Sequence, residues 1–392
     1  MVRLQTEIDR QTIPQSRTQQ ATLGFSLVEV MVAMVIGMLG IIVMMQMFRV
    51  FEGQKRTSTG GSDAISSGAI SLYGLQRDIR QSGWGISSVQ LIGCSVTGLA
   101  VVAIPLAPVT INSGLITGAD DNTDTLLVVS GDGNATVEGN GIGSVTNASY
   151  AVFGSSDFSF GDVVVGVPKA RPVPCNLTAA PVSGAVIAPN VTFNAAFPPI
   201  PAGVPLDRLF NLGQAPTVRG YAIRNGNLTM CDYTANNCGL VANNGNPAIW
   251  VPIASNVVSL RAEYGRDTTD LSPLAAPGNA MDGVVDQWDQ TAPLVISTYA
   301  AKNTLACALI RVPAVRVVLV ARSSQPEKTL DWPNLNVHVT NVNPLWMGTA
   351  LIDLSATDPD PTWPRWQDFR YKVFQTVIPL RNMTTQGAVP EC

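Results

Sequence analysis

An uncharged apolar run near the N-terminus constrains this chain more than any other feature. The run extends from Val30 to Phe48, and Gln46 is its only strongly polar residue. Its 19 residues, at about 1.5 Å per helical residue, match the roughly 30 Å thickness of a bilayer core. One carboxylate, Glu29, stands at the head of the run. Because a charge in lipid needs a counter-charge, the sequence predicts a membrane helix that carries a functional acid.

The residues before this run have the reverse order of a secretory signal peptide. Residues 1–23 are polar, whereas a secretory signal places its apolar region ahead of the cleavage site. Cleavage after Gly24 removes the polar leader and leaves the apolar helix on the mature chain. An ordinary membrane anchor that happens to contain a glutamate is the alternative, but such an anchor has no reason to keep an acid in lipid.

The start of the apolar helix resembles that of the type IV prepilin family, with its class III signal. A glycine precedes the cleavage site, the first residue after cleavage is aromatic, and the fifth is an acid. The residues concerned are Gly24, Phe25 and Glu29. The resemblance implies that a prepilin peptidase cleaves after Gly24 and methylates the new amino group of Phe25. It also implies that Glu29 forms an assembly salt bridge with the N-terminal amine of a neighbouring subunit.

Charge alone leaves the topology open, because three basic residues lie on each side of the run: Arg3, Arg10 and Arg17 before it, and Arg49, Lys55 and Arg56 after it. The resemblance and the cysteines imply a cytoplasmic leader and a periplasmic remainder. The domain prediction is therefore a cleaved leader (1–24), a transmembrane assembly helix (25–48), an extramembrane amphipathic helix (49–82) and a β-rich periplasmic domain (83–392).

The second helical segment lacks proline, and apolar residues recur in it at helical spacing. A stripe of Ile65, Ala69, Leu72, Gln76 and Ile79 predicts a face that packs against a sheet. The sequence Thr57-Ser58-Thr59-Gly60-Gly61 predicts a kink or break. Glycines at 83 and 85 predict the helix end. The motif Leu75-x-x-Asp78-Ile79-Arg80-x-x-Gly83-Trp84 is similar to that of PilW-type minor pilins, and J-type pseudopilins share the same general plan.

The whole chain contains 34 glycines and 27 prolines. This composition predicts that the residues after the second helical segment form many short strands joined by turns. The clearest strand signals lie at 160–167, 221–230 with Asn-Gly at its turn, 257–264, 311–322 and 371–382. The prolines of residues 168–217 predict a loop-rich insertion with short edge strands. Residues 323–365 are a second stretch for which a loop-rich insertion is predicted. The expected fold class is α+β, pilin-like, with one long N-terminal helix packed on antiparallel β-sheets.

The even number of cysteines predicts disulfides in a non-cytosolic compartment. The six are Cys94, Cys175, Cys231, Cys238, Cys307 and Cys392. Fifteen pairings are open, and only Cys231 with Cys238 is a local candidate, as a staple of a short loop. Buried free thiols are the alternative for some of them. No CxxC pair is present, so zinc is not indicated.

Catalytic and metal signals are weak, so no catalytic residue, metal or cofactor is predicted. The single histidine, His338, lies in a strand-like alternation and favours a strand surface. Asp120, Asn122 and Asp124 alternate like the opening of a calcium loop, but the required glycine and glutamate are missing, which favours a solvated turn. A net charge of −4 with no basic cluster excludes a nucleic-acid surface.

The leading functional hypothesis is a minor pilin that helps prime type IV pilus assembly. Its expected partners are other minor pilins, the major pilin, the prepilin peptidase, the inner membrane and a tip adhesin. Its expected location is the inner membrane with a periplasmic domain, then the pilus. The alternatives are a J-type pseudopilin of type II secretion and a membrane-tethered adhesin. An enzyme ranks last, because no nucleophile motif is present.

Overall fold

The computed structural model describes residues 24–133, 136–195, 205–268, 282–293, 305–327, 338–346, 350–355 and 365–384. The chain divides into two compact units, Met1–Lys55 and Arg56–Cys392. The helices of the described residues are α1 (Leu27–Gln81), α2 (Leu305–Ile310) and α3 (Arg381–Thr384), with 3₁₀ turns at Ser155–Asp157, Val241–Asn243 and Trp366–Asp368.

The strands in chain order are β1 (Ser95–Thr97), β2 (Ile104–Pro105), β3 (Val109–Ile111), β4 (Leu126–Ser130), β5 (Asn140–Thr146), β6 (Ser149–Val152), β7 (Val163–Pro168), β8 (Asn176–Pro181), β9 (Asn190–Thr192), β10 (Leu206–Asn211), β11 (Thr217–Arg224), β12 (Asn227–Asp232), β13 (Val251–Ser255), β14 (Val257–Arg266), β15 (Gln287–Asp289), β16 (Ala314–Arg322), β17 (Leu345–Trp346), β18 (Ala350–Leu351) and β19 (Tyr371–Pro379).

The strands form one eight-stranded, one five-stranded and one four-stranded sheet, plus the β17–β18 pair. The orders are β2-β1-β8-β7-β10-β5-β6-β9, β13-β12-β11-β4-β3 and β15-β14-β16-β19. The α+β prediction is confirmed, with one difference: β1 and β8 pair in parallel, so the largest sheet is mixed rather than antiparallel. The predicted hairpin is β11–β12, where Asn225 and Gly226 both have positive φ, as a two-residue type I′ turn requires.

Alternation along two strands explains how the layers stack. Leu126 and Val128 of β4 face the core that contains Leu75 and Ile79 of α1, whereas Leu127 and Val129 face a second core shared with the eight-stranded sheet. Strand β16 lies between β14 and β19, a central position that its β-branched run predicts. Four of its residues face the core that contains Leu75 and Ile79, and two face a core that contains tryptophan. Both strands are therefore buried on both faces, which explains why most of their residues are apolar.

The predicted break at Thr57–Gly61 is wrong, because α1 continues through it. A Cβ on Gly60 would lie 3.2 Å from the Cβ of Ser323, and one on Gly68 would overlap the ring of Phe374. These glycines therefore allow the helix to approach the β-rich unit closely. That packing outweighs the roughly 1 kcal/mol by which glycine disfavours a helix relative to alanine.

The buried face of α1 also differs from the predicted stripe. The buried residues are Gly60, Ala64, Gly68, Ser71, Leu75 and Ile79, again at helical spacing. Ile79 and the partly buried Leu72 agree with the prediction, whereas Ile65 and Ala69 are exposed. The prediction favoured large apolar side chains, but the close approach at Gly68 selects small ones.

The stretch 168–217 contributes β8, β9 and β10 to the eight-stranded sheet. β9 lies at an edge, but β8 and β10 are interior strands, so the prediction of edge strands is wrong for those two. Pro168 is the last residue of β7, and Pro181 is the last residue of β8. At a strand end, the missing N–H of proline does not interrupt the hydrogen bonds of the strand interior. In the described part of 323–365, the only strands are β17 and β18.

Candidate assembly helix and its attachment

The predicted site residues Gly24, Phe25 and Glu29 lie at the start of α1. Gly24, Phe25 and Ser26 precede the helix, and the Phe25 side chain is 82% exposed. The Ser26 carbonyl accepts bonds from the amides of Glu29 (3.0 Å) and Val30 (3.2 Å), which makes Ser26 the N-cap residue. Glu29 therefore sits in the first turn, where the helix dipole favours a negative charge.

The first part of α1 exposes its apolar side chains without exception. Every residue from 24 to 55 is exposed, including the whole apolar run. By length and composition, α1 contains one span that is apolar enough to cross a membrane. A continuous exposed apolar surface of this length requires lipid or protein to cover it.

Glu29 has no cationic side chain as an ion-pair partner within the part of the chain that the structure describes. The next basic residue along the helix is Arg49, which helical rise places about 30 Å away. The geometry of the described residues thus leaves the carboxylate available to a cation from elsewhere.

The last part of α1 carries a partly buried acid, Asp78. Asp78 accepts a 2.6 Å bond from the Arg219 guanidinium and a second bond from the Tyr221 hydroxyl, both on β11. Burial, and then the negative charge of Asp78, raise the pKa of Tyr221, so the phenol remains a hydrogen-bond donor. The sequence places Asp78 in a motif but gives no signal for its partners, which are more than 140 positions away.

The cysteines of the described residues are all in disulfides. Cys94 is bonded to Cys175, and Cys231 to Cys238, which closes the short loop that the spacing suggests. Cys307 is disulfide-bonded as well, whereas Cys392 lies outside the described residues. The alternative of buried free thiols is therefore wrong for these five.

Asp124 is buried, which corrects the prediction of a solvated turn. Its carboxylate accepts bonds from the side chains of Asn112 (3.0 Å) and Gln290 (2.6 Å) and from the Ala262 amide (2.9 Å). Asp120 accepts from the amides of both hairpin-turn residues, Asn225 and Gly226. Protein donors occupy these oxygens, and the described residues contain no group of three or more potential metal ligands.

His338 is outside any strand, so the prediction of a strand surface is wrong. Its Nδ1 lies 3.4 Å from a carboxylate oxygen of Asp368. The apparent alternation around His338 belongs to residues that lie partly outside the described ranges.

Comparison with known families finds one match, in the second half of the β-rich part. The sequence model of the type IV pilus-assembly protein W family, PilW, matches residues 221–382. This segment of the chain is similar to the PilW family. PilW is described as a type IV pilus-assembly family, so the match links this segment to type IV pilus assembly. Searches of curated proteins and of solved structures found no match.

The PilW match covers less than half of the chain and begins after α1. It contains β12–β19 and the second half of β11, and so supplies much of the surface against which residues 64–79 of α1 pack. The predicted prepilin start at Gly24 lies outside the match and stays a separate prediction.

Proposed function

We propose that this chain is a minor pilin that helps initiate assembly of the type IV pilus. The observation that carries the proposal is the start of α1, where an exposed apolar helix begins with Phe25 and Glu29. A prepilin peptidase cleaves after Gly24 and methylates the Phe25 amine. The mature helix holds the protein in the inner membrane until it joins other minor pilins and the major pilin.

Charge pairing gives Glu29 its role in this proposal. A carboxylate in lipid is stable only when it is protonated or has a counter-charge. The amine of a neighbouring subunit supplies that charge and no side chain of the described residues does. Helices therefore associate in a register that brings one terminal amine to one Glu29. The PilW match favours this pilus role over the type II secretion alternative.

The test compares Glu29→Ala with Glu52→Ala, a matched change of an acid in the same helix, in a deletion strain. We expect mass spectrometry to show a methylated N-terminus at Phe25 in both variants. We expect Glu29→Ala alone to be missing from sheared pili, with fewer pili per cell. Normal incorporation of Glu29→Ala would refute the pairing, and normal piliation of the deletion strain would refute the role.

The deletion strain also separates the alternatives. Loss of secreted enzymes with normal pili supports the pseudopilin alternative. Loss of surface attachment with normal pili supports the adhesin alternative. The proposed minor pilin predicts loss of pili with normal secretion.

A further inference from the structure

Both ends of the PilW-matched segment contact the C-terminal turn of α1, which itself lies outside the match. Tyr221, the first matched residue, donates its hydroxyl to Asp78. Asn382, the last matched residue, donates its amide Nδ2 to the carbonyls of Gln81 (3.0 Å) and Ser82 (2.9 Å). Two residues more than 150 positions apart thus meet at one helix end.

The carbonyls at this helix end need partners from outside the helix. The last four C=O groups of an α-helix have no intrahelical partner. Besides Asn382, the Ser130 hydroxyl donates to the Gln81 carbonyl at 2.8 Å. Gly83 then takes φ +81°, and its amide donates to the Val129 carbonyl at 2.9 Å. The bonds at the helix end therefore come from β4 and from Asn382, the second residue of α3.

The other polar bonds lie one turn earlier. Arg219 and Tyr221 both bond to the same oxygen of Asp78, whose side chain is only 16% exposed. Hydrogen bonds to a charged group are stronger than neutral ones and are directional. They fix the rotation of the helix about its axis, whereas Asn382 and Ser130 fix its position along the axis.

On the earlier turns, the Ser324 hydroxyl donates to an Asp63 carboxylate oxygen at 3.3 Å, in an exposed position. There the buried face consists of Gly60, Ala64, Gly68 and Ser71, which bury little apolar side-chain area. Large buried side chains on this face begin at Leu75 and Ile79. The large buried side chains of α1 and its bonds to Arg219, Tyr221, Ser130 and Asn382 therefore lie together in the last two turns.

We propose that Ser130, Arg219, Tyr221 and Asn382, here called the α1 socket, position the assembly helix for incorporation into the pilus. This inference rests on the proposed function. Residues 27–55 connect covalently to the β-rich unit only through the rest of α1, so a force on them is transmitted through that helix to the socket. Loss of socket bonds allows the last turn to shift while Leu75 and Ile79 remain buried. Incorporation then falls although the protein stays folded.

The experiment uses the full-length protein in a deletion strain. The socket variants are Asn382→Ala, in the socket itself, and Asp78→Asn, at the helix residue that the socket binds. The matched control is Asn227→Ala, whose side chain donates to the Asn225 carbonyl and accepts from the Asn256 amide. The readouts are the amount of the protein in sheared pili, its level in membranes and its resistance to trypsin. We expect a roughly fivefold to tenfold drop in incorporation for each socket variant, with unchanged level and resistance.

A charge exchange separates positioning from folding. Asp78→Arg with Arg219→Asp restores the ion pair in reverse, and we expect it to recover incorporation relative to Asp78→Arg alone. If a single variant loses folded protein, this exchange pair decides the question. Unchanged incorporation in the socket variants, a loss that parallels the loss of folded protein, or no recovery in the exchange pair would overturn the inference.

Measuring piliation of the Glu29→Ala and deletion strains in the same experiment distinguishes a failure of the socket inference from a failure of the minor-pilin proposal. If Glu29→Ala and the deletion both leave piliation normal, the minor-pilin proposal itself fails. If both reduce piliation while the socket variants do not, only the socket inference fails.

Discussion

The two parts of α1 are chemically different surfaces on one helix. Residues 24–55 are exposed at every position, and most of those in the span are large and apolar. Residues 56–81 bury a narrow face of mainly small side chains and end in polar bonds to the β-rich unit. The first part needs a partner or a bilayer, whereas the second has its partner within the same chain.

The difference shows that apolar content alone does not predict which helix face is buried. Ile65, Ile70 and Tyr73 are 49%, 71% and 72% exposed, while Gly68 and Ser71 beside them are buried. Close approach of the backbone is possible only where side chains are small. In the second part of α1, the shape of the sheet therefore decides burial.

The comparison predicts the largest effect at Leu75. Leu75→Ala removes a fully buried side chain from the core that α1 shares with the sheets. We expect the free energy of unfolding to fall by about 2–5 kcal/mol. The matched control is Leu39→Ala in the first part of α1, which is exposed and should change stability by less than about 0.5 kcal/mol.

Urea unfolding of the full chain in detergent, followed by tryptophan fluorescence, measures both variants. Equal losses at the two positions would contradict the division of α1 into a packed and an unpacked part.

An intermediate effect is expected at Gly68. In Gly68→Ala the new methyl group meets the Phe374 ring, so the ring or the helix must move. Overpacking of this kind costs about 1–3 kcal/mol, which outweighs the gain in helix propensity of about 1 kcal/mol. Gly74→Ala is the matched control, because a Cβ there meets no neighbour, and it should stabilise slightly.

The same unfolding measurement compares the two glycine variants. A double variant, Gly68→Ala with Phe374→Leu, should cost less than the sum of its parts, because the smaller side chain makes room. A stabilising Gly68→Ala would show that the close approach does not constrain the helix.

The smallest effect is a pH dependence at the attachment of α1. Burial, followed by the charge of Asp78, raises the pKa of Tyr221, and burial raises the pKa of Tyr264 to about 12. Unfolded tyrosine ionises near pH 10, so above that pH the unfolded chain binds fewer protons than the folded one. Stability is therefore complete below about pH 10 and falls as the pH rises above it.

Tyr221→Phe removes one of these groups. We expect the slope of unfolding free energy against pH, measured between about pH 9 and 11, to decrease by at most about 1.4 kcal/mol per pH unit. Tyr73→Phe, on the exposed face of the same helix, should leave the slope unchanged. An equal slope in Tyr221→Phe and the wild type would contradict the buried contact with Asp78.

Much of the fold follows from local patterns in the sequence. The long helix, the Asn225-Gly226 hairpin, the central strand after Pro313 and the final strand at 371–379 each depend on neighbouring residues, so their signals are present in short windows. The predictions that are wrong concern residues whose packing against distant parts of the chain outweighs their local conformational preference. Glycine at 60 and 61 does not end the helix, and Asp124 is buried because Asn112, Ala262 and Gln290 supply its donors.

The sequence by itself determined the apolar span, the position of Glu29 at its head and the strand-rich character of the remainder. These properties depend on composition and on short spacings, which need no knowledge of the fold. The tertiary structure alone decided the face on which α1 is buried and the partners of Asp78 and of its last carbonyls. Those partners come from β4, β11 and the start of α3, and only folding of the sheets brings residues so distant in sequence to one helix end.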